Sequence, residues 1–435
     1  MHVQIVGAGI GGLSAALSLH ALGIEVSVID SAATLRPLGV GVNLLPHAVR
    51  ELTELGLADA LAASGIQTAE MVHFDRHGNR IWGFACGRNA GYRWPQYSIH
   101  RGELQMILLD EVRTQLGTDT VRTGMAFESF KESDTGVTVS AVDRASGERV
   151  SSRADVLVGA DGLYSRVRAQ LHPGEPPPRW GGIKSWRGIT PGAPFLSGRT
   201  VAVSGANAAM KFVAYPISRK SELRGAATIS WVAEVAEIPA GPAGPAPRAL
   251  AETADWNRAG RIEDVLPWFE DWRFDWLDIP AVIAGAAEIL EYPMVDRDPL
   301  PSWASGRVTL LGDAAHPMYP IGANSGSQAV MDARVLACSL ATASSPQAGL
   351  AAYEQARREK VNAIVLACRD MPADRMLQLV NVRAPDGFDK ITDVLSTAEL
   401  AAFDDAYRQT TLPDVAALNS RPPLVPLRLS CCYQQ

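Results

Sequence analysis

Three glycines near the start of the chain have the spacing of a phosphate-binding turn. Gly7, Gly9 and Gly12 form the pattern G-x-G-x-x-G between an apolar run and a helix-like segment. The first glycine permits a tight turn, the second lets a pyrophosphate approach the backbone, and the third lets helix and strand pack closely. Asp30 ends the next apolar run, where its carboxylate can accept hydrogen bonds from a ribose. The pattern predicts a dinucleotide site, with a glycine-rich structural turn as the alternative.

Two later acidic residues also follow buried, strand-like runs. Asp161 comes after residues 155–158, within V-G-A-D-G-L-Y-S, and Asp313 follows Gly312 after residues 307–311, within L-L-G-D-A-A-H-P. Because open α/β sheets bind ligands at the carboxyl ends of their strands, both side chains can reach the same dinucleotide. For either residue alone, a helix N-cap is the structural alternative. The order of the three motifs favours a ligand site over that alternative.

The composition indicates a globular chain and excludes several classes of function. The chain has 435 residues, of which 47% are hydrophobic and 20% charged, and a net charge of -7. It has no basic patch for nucleic-acid binding and no apolar run long enough to cross a bilayer. Its five cysteines are odd in number and lack metal-ligand spacing. We therefore predict a cytoplasmic protein with reduced thiols and no metal site.

Apolar periodicity and turn residues predict the elements that must hold these motifs in place. A strand, a helix and a second strand fill the first thirty residues, which is the βαβ order of an α/β fold. After His172 the pattern changes, because prolines and glycines end a helix and parts of residues 183–232 alternate as strands do. Residues 239–247 predict an exposed loop, and residues 325–340 and 347–369 predict long helices.

Taken together, the three motifs resemble those of the class A flavoprotein monooxygenases, the para-hydroxybenzoate and salicylate hydroxylase type. They match this family residue by residue and span most of the chain up to residue 345, while the similarity fades after residue 370. Four local segments are most similar to family members that act on phenazine carboxylates, and these segments are residues 37–41, 97–106, 255–258 and 292–301.

This resemblance implies a cofactor and a reaction. The cofactor would be FAD, with NADH or NADPH as a transient co-substrate and O2 as the oxidant. The chain shows no second glycine fingerprint, which agrees with the family's lack of a separate nicotinamide domain. The substrate would be an aromatic or N-heteroaromatic compound, salicylate-like or phenazine-like, hydroxylated through a flavin C4a-hydroperoxide. No nucleic-acid or membrane partner is predicted, and the protein would be a monomer or homodimer.

The resemblance also implies the fold and its division into domains. The fold would be α/β, with a Rossmann-like FAD-binding domain of the glutathione-reductase type, a discontinuous sheet-based substrate domain and C-terminal helices. The FAD-binding domain would comprise residues 1–70, 98–175 and 285–345, the substrate domain residues 71–97 and 176–284, and the C-terminal helical region and irregular tail residues 346–435.

Residues that match the family's motifs receive roles along the cofactor. Asp30 would bind the adenosine ribose, and Asp313 would hold hydroxyls of the ribityl chain. Arg36 and Arg101 would lie along the FAD, with Gln105 near its pyrophosphate or ribityl chain. Asp161 belongs to a motif associated with both FAD and NAD(P)H. The other matched residues of the dinucleotide turn and the third motif are Gly7, Gly9, Gly12 and Gly312.

A loop with the sequence P-I-G-A-N-S-G would run beside the isoalloxazine ring. Its residues of interest are Pro320, Gly322, Asn324 and Gly326, of which the first two are predicted among the catalytic residues. The loop precedes a helix, whose free N–H groups and positive end suit the negative charge of a reduced flavin at N1 and O2. The structural alternative is that the glycines only serve a turn.

Candidates for the substrate site lie in the predicted substrate lobe. Arg187 can form a bidentate pair with a substrate carboxylate, and a surface or interdomain ion pair is the competing interpretation. Arg187 and Tyr215 are the two predicted catalytic residues in this lobe. Tyr215 belongs to a set of aromatic residues that can form an aromatic wall or simply core, namely Trp82, Trp94, Trp186, Tyr215 and Trp231. His316 invites a general-base role, but a structural role is preferred.

Two other classes of function share these flavin motifs. The first is another FAD oxidoreductase, such as an oxidase, an epoxidase or a halogenase. Flavin halogenases carry W-x-W-x-I-P, whereas Trp272 and Trp276 here are four residues apart, which argues against halogenation. The second is a non-catalytic flavin-binding or drug-binding protein, which intact motifs do not exclude.

Overall fold

The computed structural model shows an α/β protein built on two large sheets. It describes residues 1–237, 248–249, 258–370, 372–411 and 413–424. The loop predicted at 239–247, most of the 255–258 segment and the end of the predicted irregular tail lie outside the described residues. The predicted fold class is confirmed, including the helices after the second sheet.

A mostly parallel sheet carries the glycine motif at the carboxyl end of one of its inner strands. Its strands are parallel except for a short outer hairpin strand. Apolar residues fill its central strands, which is typical of a parallel sheet covered on both faces. The three motifs follow three adjacent strands, so they meet at the carboxyl edge of the sheet. In spatial order its strands are Ala304–Ser305, Val308–Leu310, Val156–Gly159, His2–Val6, Glu25–Ile29 and Val121–Arg122.

Three smaller sheets accompany the two large ones in the described part of the chain. An antiparallel three-stranded sheet follows the predicted strands of 120–150, and another joins segments from both sides of residue 70. The strands are Met125–Ser133, Gly136–Asp143 and Arg149–Ala154 in the first, Gly41–Leu44, Gln96–His100 and Ile66–Thr68 in the second, and Arg273–Phe274 and Leu277–Asp278 in the third.

The second large sheet corresponds to the predicted substrate lobe and is mostly antiparallel. One of its strands, Ile289–Asp296, falls within residues 285–345, which are predicted to belong to the FAD-binding domain. This strand pairs with Arg179–Gly192 of the large sheet. The division into domains stays a prediction. From edge to edge the strands are Arg248–Ala249, Arg179–Gly192, Ala227–Ala236, Met210–Pro216, Thr200–Gly205, Glu70–Phe74 and Arg80–Ala85.

The large sheet has two faces that pack against different helices. On the back face, Phe212 and Trp231 pack with Ile283 of the Ile279–Ala284 helix. On the front face, Tyr215 belongs to a cluster with Met376 of a C-terminal helix. Because side chains alternate along a strand, neighbours of a back-face residue point to the front face.

Helices cover both large sheets, and the C-terminal helices Pro372–Arg383 and Thr397–Thr411, which we call the C-terminal roof, pack over the front face. Within the described part of the chain, none is long and apolar enough to span a membrane. The helices are Ile10–His20, Pro46–Glu54, Ala58–Ser64, Arg101–Leu116, Arg166–Leu171, Arg219–Glu222, Ile262–Val265, Ile279–Ala284, Asn324–Thr342, Pro346–Asp370, Pro372–Arg383, Thr397–Thr411 and Val415–Ser420.

Candidate active site

The glycine turn has the geometry that a bound pyrophosphate needs. Gly7 has a φ of +107°, and a Cβ there would lie 2.3 Å from the carbonyl oxygen of Ala160. A Cβ on Gly12 would lie 2.0 Å from the carbonyl oxygen of Gly7, so the helix can approach the strand only without one. A Cβ on Gly9 would meet nothing within 4 Å. The protein's own packing therefore requires the first and third glycines, while the space at the second is open.

Asp30 and Gln105 both hold this turn from the side. The backbone N–H of Ala8 donates to Oδ2 of Asp30 at 2.8 Å, and that of Ala32 donates to Oδ1 at 2.7 Å. Nε2 of Gln105 donates to the carbonyl oxygen of Ala8 at 2.8 Å. Each carboxylate oxygen can accept a second hydrogen bond, so the ribose role of Asp30 stays a prediction.

The two arginines predicted along the cofactor, Arg36 and Arg101, are exposed to solvent. Arg101 begins the Arg101–Leu116 helix, and its backbone N–H donates to the carbonyl oxygen of Val40 at 2.9 Å. The side chain of Arg36 is exposed and makes no hydrogen bond to any described residue. Their contacts with FAD stay predictions.

Asp161 supports the start of the short helix Arg166–Leu171, whose N-cap residue is Ser165. Ser165 donates its hydroxyl to Oδ1 of Asp161 at 2.5 Å, and the N–H of Arg166 donates to Oδ2 at 2.8 Å. Burial raises the pKa of Asp161, and these hydrogen bonds oppose the rise. Asp161 thus has contacts within the chain without being the N-cap residue, and its direct role toward FAD or NAD(P)H stays a prediction.

Arg168 joins the second motif to the third. Its Nη1 donates to the carbonyl oxygens of Ala314 and Ala315 at 3.0 and 2.9 Å. Its Nε donates to Glu175 at 2.7 Å, so this buried guanidinium is neutralised. The two acidic segments are therefore fixed side by side, as their places after adjacent strands predict.

The third motif presents Asp313 toward the next helix. Gly312 has a φ of +60°, and its N–H donates to Oδ2 of Asp332 at 3.2 Å. Ser325 donates its hydroxyl to Oδ1 of Asp313 at 2.7 Å. Oδ2 of Asp313 accepts no hydrogen bond from the described residues. This half-buried carboxylate therefore keeps acceptor capacity for a ligand hydroxyl.

A buried polar network supports the third motif, and sequence reasoning missed most of it. Asp332 is fully buried, with Nε2 of His316 at 2.5 Å from Oδ2 and Nε of Arg357 at 2.8 Å from Oδ1. Gln328 accepts from Arg357 at 2.7 Å. Burial alone would raise the pKa of Asp332, but His316 and Arg357 lower it overall. The contacts of His316 agree with a structural role.

The predicted flavin loop ends in an unusual backbone conformation. Gly322 has a φ of +69°, and Ala323, which is not glycine, has a φ of +59°. A non-glycine residue in the left-handed region is uncommon and tends to occur at functional sites. Pro320 is exposed before this turn. The loop is thus built to bring the next helix into a defined position.

Two helices present N-termini that the chain itself leaves uncapped. Neither Ile10–His20 nor Asn324–Thr342 has a side-chain cap or an acidic residue in its first turn. The helices pack closely, since a Cβ on Gly11 would lie 3.3 Å from Cβ of Ala329. The Oδ1 atom of Asn324 is buried and accepts no hydrogen bond from the described residues. Free N–H groups and positive dipole ends fit FAD, which carries negative charge on its pyrophosphate and, when reduced, on its ring.

The front face of the large sheet reaches the flavin loop through Tyr215. Its hydroxyl donates to the carbonyl oxygen of Gly41 at 2.9 Å, and Ser230 accepts from the N–H of Gly41 at 2.9 Å. A Cβ on Gly326 would lie 3.8 Å from Cγ2 of Val42. Burial raises the pKa of Tyr215, which keeps the phenol protonated. The structure thus brings Tyr215 and the flavin loop to the same strand, Gly41–Leu44.

Arg187 lies on the same front face without a counter-charge. Its guanidinium stacks 4.8 Å from the ring centre of Tyr292, and its buried Nε has no hydrogen-bond partner. No carboxylate of the described residues lies within ion-pair distance of it. The competing interpretation, a surface or interdomain ion pair, is therefore not observed in the described part of the chain.

The other aromatic candidates divide between core and edge. Trp186 and Trp231 belong to the back-face core, so they do not face the flavin loop. Trp82 stacks on His73 at 4.9 Å at the outer edge of the sheet, and Trp94 lies under Arg50 at 5.4 Å. Of these four tryptophans, Trp82 alone packs against the front-face cluster that contains Tyr215.

The C-terminal roof is anchored by a buried ion cluster that sequence reasoning did not find. Nζ of Lys211 lies 2.9 Å from Oε2 of Glu234 and 3.4 Å from Oδ1 of Asp374. The N–H of Asn207 also donates to Asp374, at 3.1 Å. Asp374 belongs to the Pro372–Arg383 helix, so this contact fixes the roof to the sheet. Its three charged residues lie on two different strands and a helix. No local sequence motif therefore indicates the cluster.

We expect Asp374→Asn to loosen the roof. The variant loses two charge-assisted interactions with buried donors, so the free energy of unfolding should fall by about 2–3 kcal/mol. Urea titration followed by tryptophan fluorescence measures this loss. Asp370→Asn is the control, because its pair with Arg375 is exposed and worth little. Equal midpoints for the two variants would contradict the anchoring role.

Known proteins resemble this chain over nearly its whole length. A family model described as an FAD binding domain matches residues 1–203 and 294–367. A phenazine 1,6-dicarboxylic acid hydroxylase from Lysobacter antibioticus is 46% identical over 93% of this chain and 96% of its own length. An aurachin C monooxygenase/isomerase from Stigmatella aurantiaca is 32% identical over 83% of this chain and 86% of its own.

A solved structure also agrees with the fold and the cofactor. HpxO from Klebsiella pneumoniae, in complex with FAD and uric acid, has a TM-score of 0.69 and 25% identity, covering 94% of this chain and 93% of that one. The predictions of FAD as cofactor and of an FAD monooxygenase are confirmed. The chain therefore belongs to the FAD binding domain family and, within it, to the class A flavoprotein aromatic hydroxylases.

Proposed function

We propose that this protein hydroxylates a planar N-heteroaromatic acid of the phenazine carboxylate type. The observation that supports this choice is the 46% identity with a phenazine 1,6-dicarboxylic acid hydroxylase over 93% of the chain. NADH or NADPH would supply the electrons. We further propose that the protein works in the cytoplasm as a monomer or homodimer.

The residues of the site would each contribute to binding, orientation or exclusion of water. FAD, when bound, supplies the activation of O2 with electrons from the nicotinamide. Gly9 and the first turn of Ile10–His20 would hold the pyrophosphate, and Asp313 would accept from the ribityl hydroxyls. The N-terminus of Asn324–Thr342 would stabilise negative charge on the ring.

The front face of the large sheet and the C-terminal roof would exclude water from the reacting ring. Hydroxylation by this chemistry fails if water or an open site lets activated oxygen escape as hydrogen peroxide. Tyr215 would hold Gly41 next to the flavin loop. The Pro372–Arg383 helix would cover the part of the front face that lies away from that loop. Pro320 and Gly322 would border the reacting ring through their backbone.

The competing functions differ in an easily measured product. An oxidase would turn O2 into hydrogen peroxide without oxygenating an organic substrate, and an epoxidase would add oxygen across a double bond. A flavin-binding protein without catalysis would consume no more NAD(P)H with aromatics than without them. The identity with named hydroxylases favours ring hydroxylation over each of these.

The proposal is tested by assaying purified, FAD-loaded protein against a panel of aromatics. The panel contains phenazine-1-carboxylate, phenazine-1,6-dicarboxylate, salicylate and unsubstituted phenazine, each with NADH and with NADPH. We expect the phenazine acids to accelerate nicotinamide oxidation by about 10-fold or more and to gain one oxygen atom by mass. Acceleration only by salicylate, or peroxide as the sole product, would contradict the proposed substrate.

A further inference from the structure

Arg187 differs from the buried arginines of the described chain because it lacks an acidic partner. Arg168 pairs with Glu175, Arg334 with Glu51 and Arg357 with Asp332. Removing a guanidinium from water without a counter-charge is costly. Arg187 is half-buried, and its Nε is shielded from solvent without a hydrogen bond. A positive charge held in this way is suited to an anionic ligand.

The position of Arg187 on its strand directs it to the flavin side of the large sheet. Its neighbour Trp186 belongs to the back-face core, and a Cβ on Gly188 would touch Trp231 of that core at 2.4 Å. Strand alternation then places Arg187 on the front face. The front face is also where Tyr215 contacts Gly41, next to the flavin loop.

The surroundings of Arg187 on this face are apolar and incompletely covered. Val232 lies directly opposite Arg187 on the neighbouring strand, and Val213 lies opposite Val232 on the next. Ile189 is two residues further along the strand of Arg187. All three aliphatic side chains are only half-buried. One cation beside an apolar floor matches a flat aromatic ring that carries one carboxylate.

We propose that Arg187 determines substrate specificity by binding the carboxylate of the aromatic acid in a bidentate pair. Tyr292 stacks on the guanidinium and fixes its plane, so that its two outer N–H groups can meet both carboxylate oxygens. The ring then lies on the floor of Ile189, Val213 and Val232, with its free edge toward the flavin loop. This assignment rests on the proposed function and adds the group that selects acids over neutral rings.

The test compares an acid and a neutral probe of the same ring. Phenazine-1-carboxylate and phenazine-1-carboxamide are titrated into FAD-loaded wild type, Arg187→Met and Arg187→Lys, with the flavin absorbance as the binding signal. We expect Arg187→Met to weaken binding of the acid by about 100-fold and that of the amide by less than about 3-fold. Arg187→Lys should fall between, because an ammonium cannot form the planar fork. Arg261→Met, at an exposed position, is the matched control.

Each outcome decides between the carboxylate pair and its alternatives. An equal loss for both probes indicates a structural role for Arg187 and overturns the proposal. No change for either probe, or no binding of either by wild type, overturns it as well. If wild type binds the acid through Arg187 but transfers no oxygen to any aromatic, the carboxylate pair stands and the proposed function fails.

Discussion

Replacing Gly9 with alanine should weaken FAD binding by about 100-fold while leaving the apoprotein as stable as wild type. A Cβ at this position meets nothing within 4 Å in the protein, so the fold has no reason to resist it. The same Cβ enters the space that a pyrophosphate needs for its approach to the backbone. This substitution should therefore change the affinity for FAD and leave the stability of the apoprotein unchanged.

Gly12→Ala is the matched variant, and we expect it to affect the stability of the fold first. Its Cβ would lie 2.0 Å from the carbonyl oxygen of Gly7, which has to move together with the first helix. We expect the free energy of unfolding of the apoprotein to fall by about 3 kcal/mol, the upper end for overpacking. Thermal unfolding of the two apoproteins and FAD titration by fluorescence quenching separate the effects. A destabilised Gly9→Ala apoprotein would show that this glycine serves the fold and not the phosphate.

Asp332→Asn should destabilise the protein by about 3–5 kcal/mol, because it leaves the buried guanidinium of Arg357 without its counter-charge. The Gly312 turn loses its support in the same step, so FAD should dissociate more readily. Asp313→Asn changes a half-buried carboxylate that, among the described residues, accepts a side-chain hydrogen bond only from Ser325. That variant should unfold close to wild type but bind FAD about 10-fold more weakly.

The pH dependence of unfolding gives a second test of Asp332. Its pKa is lower in the folded protein than the usual value of about 3.9, since His316 and Arg357 outweigh the effect of burial. Its contribution to stability is thus present above pH 3.9 and is lost as the pH falls through the folded pKa. The difference in unfolding free energy between wild type and Asp332→Asn should therefore shrink below about pH 4. A constant difference down to pH 3 would exclude an ionised Asp332 as its source.

The cofactor side of this protein was predictable because its motifs are local. Gly7, Gly9 and Gly12 lie in one turn, and the backbone requirement of each can be read from its place in that turn. Asp161 follows the strand that adjoins the first strand, and Asp313 follows the next strand outward, so a parallel sheet brings both to one side of the glycine turn. Even here, contacts within the chain explain part of the pattern, since Asp161 accepts from the first turn of the helix that follows it.

The network behind the third motif and the substrate side were harder to predict, because their residues come from distant segments. Asp332 and Arg357 are charged residues within long helices, where exposed charges are the ordinary interpretation. Lys211 meets Asp374 only because a C-terminal helix crosses the front face, and pairing across 163 residues has no signal in one sequence. Strand Ile289–Asp296 pairs with a strand that begins more than a hundred residues earlier, and no local pattern indicates that pairing.

The central claim, that this protein transfers one atom of O2 to an aromatic ring, is tested most directly with oxygen-18. Wild-type protein loaded with FAD is mixed with NAD(P)H and phenazine-1-carboxylate under labelled O2 in unlabelled water, and the product is analysed by mass spectrometry. Our account predicts a hydroxylated product that carries one labelled oxygen atom, formed in proportion to the NAD(P)H consumed. Oxygen in the product that comes from water, or label found only in hydrogen peroxide, would contradict it.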